Sequence, residues 1–379
     1  MSRSIAPAAR LAWFAAAFAL GVIVFGAFVR LSNAGLSCPD WPTCYGRIAW
    51  PDHHAAIAAA NAAFPDRPVE VHKAWREQFH RMLASGLGTL VLALALSAVW
   101  RRPRARLAVI VAALAAAAGV LLYVNGERVF SSLLSVIAIG LPLITALRLP
   151  RAPAWRVAVL AFAVVVFQAM LGMWTVTLLL KPAVVMAHLL GGLTLFALLS
   201  YVALKLSGVG GDDPRRAELK PWAILALVLL AAQIALGGWT SSNYAALACG
   251  ADFPQCQGAW WPTMDFHQGF VLWRDIGVNY EGGVLDAAAR AAIQVAHRIG
   301  ALVVSLYLLW LAWRMRRDGF GGHAALLLLA LATQVALGIG NVMLGLPLPV
   351  ATAHNAVAAL LLFTLVALLA RTQRVATAP

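Results

Sequence analysis

The sequence predicts an all-α polytopic membrane protein: two pseudo-symmetric four-helix bundles plus an inserted helical hairpin, about ten transmembrane helices in all. Three observations predict it. The 379-residue chain is 62% hydrophobic and 12% charged, with a mean hydropathy of +0.81, whereas a soluble globule carries roughly 25% charged residues. Apolar segments of spanning length fall near 11–30, 79–100, 107–125, 129–148, 157–177, 183–205, 222–240, 290–312, 323–345 and 350–370, each close to the roughly 20 residues that cross a hydrocarbon layer. The two halves of the chain also repeat one another.

The first segment, from Leu11, has only Arg3 and Arg10 before it and no Ala-x-Ala site at its end. It reads as a retained helix rather than a cleaved signal. The net charge of +14 does not point to nucleic acid, because the basic residues sit in short clusters between apolar spans. Clusters at Arg3 and Arg10, Arg101 to Arg106, Arg148 to Arg156, Lys205 to Lys220, Arg314 to Arg317, and Arg371 with Arg374 all fall on one side. Together they hold 18 of the 29 basic residues but only 4 of the 15 acids: Asp212, Asp213, Glu218 and Asp318. That side is expected to be the cytoplasm, with both termini on it. The stretch 107–148 has basic clusters at both ends, so it must cross an even number of times. Two helices joined at Asn125-Gly126-Glu127-Arg128 satisfy this.

Two long loops, about 31–78 and 241–289, then lie outside. Each carries one cysteine pair, Cys38 with Cys44 and Cys249 with Cys256. Paired cysteines in exported loops suggest disulfides. The loops are rich in Pro and aromatic residues, including the run Cys38-Pro39-Asp40-Trp41-Pro42-Thr43-Cys44-Tyr45-Gly46, and should fold as caps.

The repeat is specific. Gly26 to Cys38 aligns without a gap with Gly237 to Cys249, and both end Ala-x-Leu-x-Cys. His80-Arg81 matches His297-Arg298. Gln168-x-x-Leu171-Gly172 matches Gln334-x-x-Leu337-Gly338, and each glutamine precedes the next histidine, His188 or His354, by the same 20 residues. The domains are therefore expected as 1–208, carrying the insertion 107–148, and 209–379. In each, the second and fourth helices of a four-helix unit carry one histidine.

All four histidines fall within the first turns of helices entering from the same side. Ionisable groups there are costly and mark function by default. Two imidazoles on facing helices can supply both axial ligands of a haem iron, and bundle cores commonly hold such groups. A lone histidine is as well explained by an interhelical hydrogen bond; four in a two-fold pattern favour haem. Gly86, Gly88, Gly191, Gly192 and Gly300 follow the histidines and would make room for the macrocycle. Arg81 and Arg298 suit the propionates of a porphyrin, or equally the anchoring of helix ends at headgroups.

Glu77 lies three residues before His80, on the same helical face; Gln294 stands at that spacing before His297. The two haem sites are thus expected to differ. A carboxylate beside one of them suits proton-coupled chemistry, although a glutamate near a helix start is also favoured by the dipole. The disulfides read as braces for the caps, with a redox role as the other option. His53, His54, His72 and His267 read as surface residues, and His323 has no partner in the repeat.

Taken together, these motifs resemble the haem A synthase family, bacterial and mitochondrial. The carrying residues are Gly35 to Gly46, Glu77-x-x-His80-Arg81, Gln168-x-x-Leu171-Gly172 with Ala187-His188-Leu189, His297-Arg298, and Ala353-His354-Asn355. The resemblance implies an oxidoreductase of the bacterial inner membrane that converts the C8 methyl of haem O to a formyl by successive hydroxylations, giving haem A for cytochrome oxidase. It implies catalytic Glu77, His80 and His188 at the substrate haem, and a haem b cofactor at His297 and His354. It also links Cys38 and Cys44 to activity. Haem O, haem O synthase, cytochrome oxidase assembly factors and membrane lipid are the implied partners. The family usually has eight spans, and the hairpin would add two. The rival expectations are a di-haem b electron-transfer protein without substrate chemistry, and a haem carrier.

Overall fold

A computed structural model describes residues 7–149, 153–211 and 217–373. Arg3, Arg151, Arg215, Arg216, Arg374, Asp212 and Asp213, which belong to the charge clusters above, lie outside the described residues. The described residues form helices and no strands, apart from two isolated bridges. In chain order the helices are α1 Pro7–Leu31, α2 His54–Ala63, α3 Val71–Val99, α4 Pro103–Val124, α5 Arg128–Arg148, α6 Pro153–Thr177, α7 Pro182–Leu206, α8 Lys220–Ser242, α9 Phe266–Gly269, α10 Ala287–Arg317, α11 Gly321–Met343 and α12 Leu348–Arg371. All but α2 and α9 are long and apolar enough to span a membrane, ten among the described residues. The chain is a multi-pass membrane protein.

The polarity of packing is that of a lipid-bathed bundle. Helix α1 buries a stripe of alanines, Ala9, Ala12, Ala15, Ala16 and Ala19, and small residues let helix backbones approach closely where no hydrophobic force drives them together. The large apolar side chains point the other way, as at Leu107, Leu114 and Leu121 of α4 and Leu302, Leu306 and Trp313 of α10. Local signals set the ends. Pro103 opens α4 from a first-turn position that needs no N–H. The Asp286 carboxylate caps α10 by accepting from the Ala289 N–H at 2.8 Å. Arg314, Arg316 and Arg317 fill the last turn of α10, at the negative end of its dipole.

The chain divides into two compact units. One runs to Val176 and includes Gly191–Gly210. In it, α1 packs on α3, α3 on α4, and α4 on α5. Gly191 and Gly192 of α7 pack against Gln168 of α6, and Gly192 also meets Ile23 of α1. The hairpin is two helices, as expected, turning at Gly126 with φ +85°, a conformation that suits glycine. The other unit holds Thr177–Leu190 and the chain from Gly211. Its helices close a ring: α8 packs on α10 and α12, α10 on α11, and α11 on α12. Met186 and Leu189, in the first turns of α7, pack against Gly238 of α8.

Helices α3 and α10 start earlier than hydropathy indicates, at Val71 and Ala287. His80 is therefore the tenth residue of α3 and His297 the eleventh of α10, in their third turns. His188 and His354 are each the seventh residue of α7 and α12. At 1.5 Å per residue, the pairs lie about 14 and 9 Å from their helix starts.

Candidate haem-binding sites and their caps

Each long loop folds around its cysteine pair. Cys38–Cys44 and Cys249–Cys256 are disulfide-bonded, with Cα atoms 4.7 and 4.4 Å apart. Both bridges are buried. The first packs with Tyr45, Ala60 and Ala74, the second with Ala291 and Val295. Ala74 and Ala291 occupy equivalent positions at the starts of the histidine helices, so each disulfide sits on the helix that carries a histidine. The two loops share their local geometry. An Asp-anchored turn closes each: the Asp40 carboxylate accepts from the Tyr45 and Gly46 N–H groups at 2.6 and 2.8 Å, and Asp252 accepts from Gly258 at 2.7 Å. Tyr45 and Gln257 take left-handed backbone in the same place, and each loop has a cis X-Pro bond, Trp41-Pro42 and Phe253-Pro254. Burial in the cap pushes the Tyr45 phenol up, with Glu77 adding to it; its hydroxyl donates to the Arg67 carbonyl at 3.0 Å.

The two arginines join helix to cap. Arg81 Nη1 donates to the carbonyls of Asp40 and Thr43 at 2.7 and 2.6 Å. Arg298 Nη1 donates to Gln255 at 2.7 Å, and its Nη2 to Asp252 at 3.0 Å. Carbonyls at the same two loop positions are gathered in both units. Long side chains of this kind reach whichever acceptor the loop presents, which sequence spacing does not reveal.

Glu77 is 4% exposed. Its Oε1 accepts from Arg81 Nη2 at 2.5 Å and its Oε2 from the Cys38 N–H at 2.8 Å. The carboxylate thus ties α3 to the first disulfide itself. Next to it, Gln78 Nε2 donates to the Ile48 carbonyl at 2.6 Å. In the second unit the equivalent Gln294 is equally buried, and its Oε1 has no hydrogen-bond partner among the described residues.

Three of the four histidine rings rest on a glycine of the spanning helix that precedes theirs in the chain. A Cβ on Gly26 of α1 would lie 2.7 Å from His80 Cε1, on Gly237 of α8 3.2 Å from His297 Cε1, and on Gly338 of α11 3.1 Å from His354 Cε1. Phe25 also stacks on the His80 ring, with centroids 6.4 Å apart. Of the glycines expected to make room, two are filled by side chains. Gly88 opens on no neighbour, Gly86 meets Phe18 at 3.7 Å, and Gly191 and Gly300 are the seats of the amides of Gln168 and Gln233. The glycines that fit the rings lie on other helices, where only the fold brings them into contact.

In the second unit, His297 stands on α10 and His354 on α12, opposite members of the ring of helices. Each is attended by a glutamine. Gln233 Nε2 lies 3.0 Å from His297 Nδ1, and Gln334 Nε2 lies 3.2 Å from His354 Nε2. Gln334 belongs to the repeat; Gln233 does not, because Val22 stands at its position in the first unit. Repeat matching therefore passes over it. Buried polar atoms without a hydrogen-bond partner among the described residues gather on the ring's helices: Gln233 Oε1, Gln294 Oε1, Gln334 Oε1, Asn341 Oδ1 and His354 Nδ1. Imidazoles on opposite helices of the ring, with unsatisfied amides beside them, suit a haem bound by His297 and His354. Among the described residues, no group of three or more His, Cys, Asp or Glu could hold a bare metal ion.

The other histidines have ordinary explanations. His53 pairs with Asp52 at 2.9 Å on the surface. His72 is in the exposed first turn of α3, not in the loop, and His267 is exposed on α9. His323 Nε2 donates to the Thr364 carbonyl at 2.8 Å and so ties α11 to α12. Lys181, at the start of α7, escaped sequence reading. It is 1% exposed and lies 3.6 Å from the centroid of the Trp273 ring, as a cation on an aromatic face.

The family described as cytochrome oxidase assembly protein, COX15-CtaA, matches residues 9–126 and 122–366. The chain is 40% identical over 352 residues to a protein of Shewanella oneidensis named heme A synthase, covering 92% of each. It is 26% identical over 370 residues to one of the same name from Rhizorhabdus wittichii, covering 92% of this chain and 89% of that protein. A third, from Caulobacter vibrioides, is 27% identical over 396 residues, covering 97% and 96%. The chain belongs to the COX15-CtaA family of cytochrome oxidase assembly proteins.

Proposed function

We infer that the two halves of the repeat serve two haems with unequal tasks, within a membrane oxidoreductase that converts haem O to haem A. In haem A a formyl replaces the C8 methyl of the substrate. Two hydroxylations take the methyl to a hydroxymethyl and then to a geminal diol, and loss of water leaves the aldehyde. In the half 1–208 the substrate haem is held by His80 and His188; in the half 209–379 haem b is held by His297 and His354. A resident haem supplies one-electron chemistry at its iron. The chain's own residues do the rest. Gly26 and Gly237 fix the planes of the His80 and His297 rings. Arg81 and Arg298 hold the caps over the histidine helices, and their remaining N–H groups suit porphyrin propionates.

One observation carries the division of labour. Two joints built alike, from disulfide to arginine to histidine, differ at the position one turn before the histidine, Glu77 against Gln294. A buried carboxylate can take and return protons where an amide cannot. Glu77 is therefore the proton-handling residue of the substrate site, and its bond to the Cys38 N–H makes the first disulfide its support. The one-sided basic clusters support a reading with both termini in the cytoplasm and both caps outside the bacterial inner membrane. Haem O synthase and oxidase assembly factors are the protein partners this reading calls for. A di-haem electron-transfer protein would have no use for that asymmetry.

Co-expression with a haem O synthase, followed by mass spectrometry of the extracted pigments, tests the reading. Haem A is expected with the unaltered chain, and haem O alone with Glu77→Ala or His80→Ala. Unchanged haem O with the unaltered chain would overturn it.

A further inference from the structure

We propose that Gln233 is the positioning residue of the second unit's haem ligand, fixing the His297 ring through Nδ1 so that Nε2 is left for the iron. This rests on the reading of His297 as an iron ligand. The amide touches His297 twice: Nε2 is 3.0 Å from the ring Nδ1 and 3.0 Å from the His297 carbonyl. Its other end, Oε1, is buried without a hydrogen-bond partner among the described residues. The seat is specific. A Cβ on Gly300, one turn beyond His297, would collide with Oε1, and Leu236 packs 3.0 Å from the same point. Only glycine at position 300 admits the amide.

The orphan oxygen has a chemical reading. A neutral imidazole carries one proton. Where the amide nitrogen donates to Nδ1, that proton sits on Nε2. An iron on Nε2 requires it on Nδ1, and Nδ1–H then needs an acceptor. Turning the amide end for end presents Oε1 to it, so the atom now unsatisfied becomes the acceptor. The turn gives up the bond to the His297 carbonyl, which as a mid-helix carbonyl has its own amide partner four residues on. An acceptor on the far nitrogen of a ligating imidazole fixes the ring and raises its basicity, and a more basic ligand favours ferric iron. The first unit has Val22 at this position. The difference suits the two tasks: a resident haem gains from a fixed ligand, whereas a substrate haem must leave.

The test is redox potentiometry of full-length protein, purified in detergent with haem b bound, combined with electron paramagnetic resonance of the ferric form. Gln233→Leu removes the acceptor and is expected to raise the potential of the second-unit haem. Gln233→Glu keeps the shape, strengthens the acceptor and is expected to lower it. The ferric low-spin g values should move in opposite senses in the two variants. Equal potentials in both, or shifts of the same sign, would overturn the proposal. Loss of bound haem b in Gln233→Leu with retention in Gln233→Glu would support it as well. A His297→Ala control separates the two readings. Haem b retained there with an unaltered spectrum defeats the ligand assignment. Haem b lost there while the Gln233 variants match the parent defeats only the role of Gln233.

Discussion

The two cap-to-helix joints were built from one plan and diverge at two positions. In both, an aspartate closes the disulfide loop, an arginine gathers two loop carbonyls, an alanine seats the disulfide, and a glycine receives a histidine ring. The first joint has a carboxylate on its cap side, Glu77, and an aliphatic Val22 on its ring side. The second has an amide in each place, Gln294 and Gln233. Scaffold and chemistry are thus separable. The repeated residues hold the helices and loops in register, and the proposed difference in chemistry rests on the substituted ones. Comparison of the halves exposes Glu77 against Gln294, which sit one turn before aligned histidines, but passes over Gln233, whose counterpart Val22 lies outside the matched motifs.

The largest expected effect comes from exchanging the cap-side pair. Glu77→Gln leaves the largely buried Arg81 guanidinium without its carboxylate, a change that typically costs about 3–5 kcal/mol. Thermal unfolding in detergent should show the loss, and haem O should replace haem A in the extract. Gln294→Glu should leave conversion in place; if instead it matched Glu77→Gln in abolishing haem A, the asymmetry would be void. Next come the ring-seating glycines. Overpacking costs about 1–3 kcal/mol, and the intruding methyl is closer at Gly26 than at Gly237. Gly26→Ala should therefore cut haem A yield on the order of tenfold, and Gly237→Ala should do less, seen as loss of second-unit haem b absorbance.

The disulfides should separate by consequence rather than by stability. Each closes a loop of similar length, and removing either should cost about 2–4 kcal/mol. Cys249→Ser with Cys256→Ser should keep most haem A production in cells grown cool. Cys38→Ser with Cys44→Ser should lose it, because the Cys38 N–H holds Glu77. Equal activity in the two double variants would remove the first disulfide's special role. The smallest effect is expected at Lys73, whose pair with the half-exposed Glu70 at 2.7 Å should be worth about 0–1 kcal/mol. Lys73→Ala should move neither unfolding nor pigment composition.

The spans, the hairpin and both disulfides were legible in the sequence because each leaves a local signature: apolar length, charge parity, paired spacing. The starts of α3 and α10 were not. Hydropathy reports the part of a helix that lies in lipid; α3 begins eight residues before its apolar stretch and α10 three, and Ala74 in that added part of α3 meets the first disulfide rather than lipid. Nor were the glycines that seat the rings. Gly26 lies on α1 and its histidine on α3, and no periodicity links residues that tertiary packing alone brings together. The loop carbonyls held by Arg81 and Arg298 escaped for the same reason.

One feature of the first unit bears on how such a protein could change over generations. Helices α4 and α5 pack chiefly on each other, touch α3, and meet the cap where Tyr123 sets its ring edge-on to Trp41, 5.8 Å between centroids. They form a cassette. Its gain or loss in one event moves no histidine, cysteine or glycine of the repeat off its helix, and every later loop emerges on the side it had before. Trp41 would have to find a new neighbour, as would the face of α3 that packs on α4 and Arg156 of α6, which donates to the Ala146 and Leu147 carbonyls of α5. Chains with eight and with ten crossings are in that sense one step apart, and the hairpin is a part that a lineage can inherit or discard without touching the chemistry.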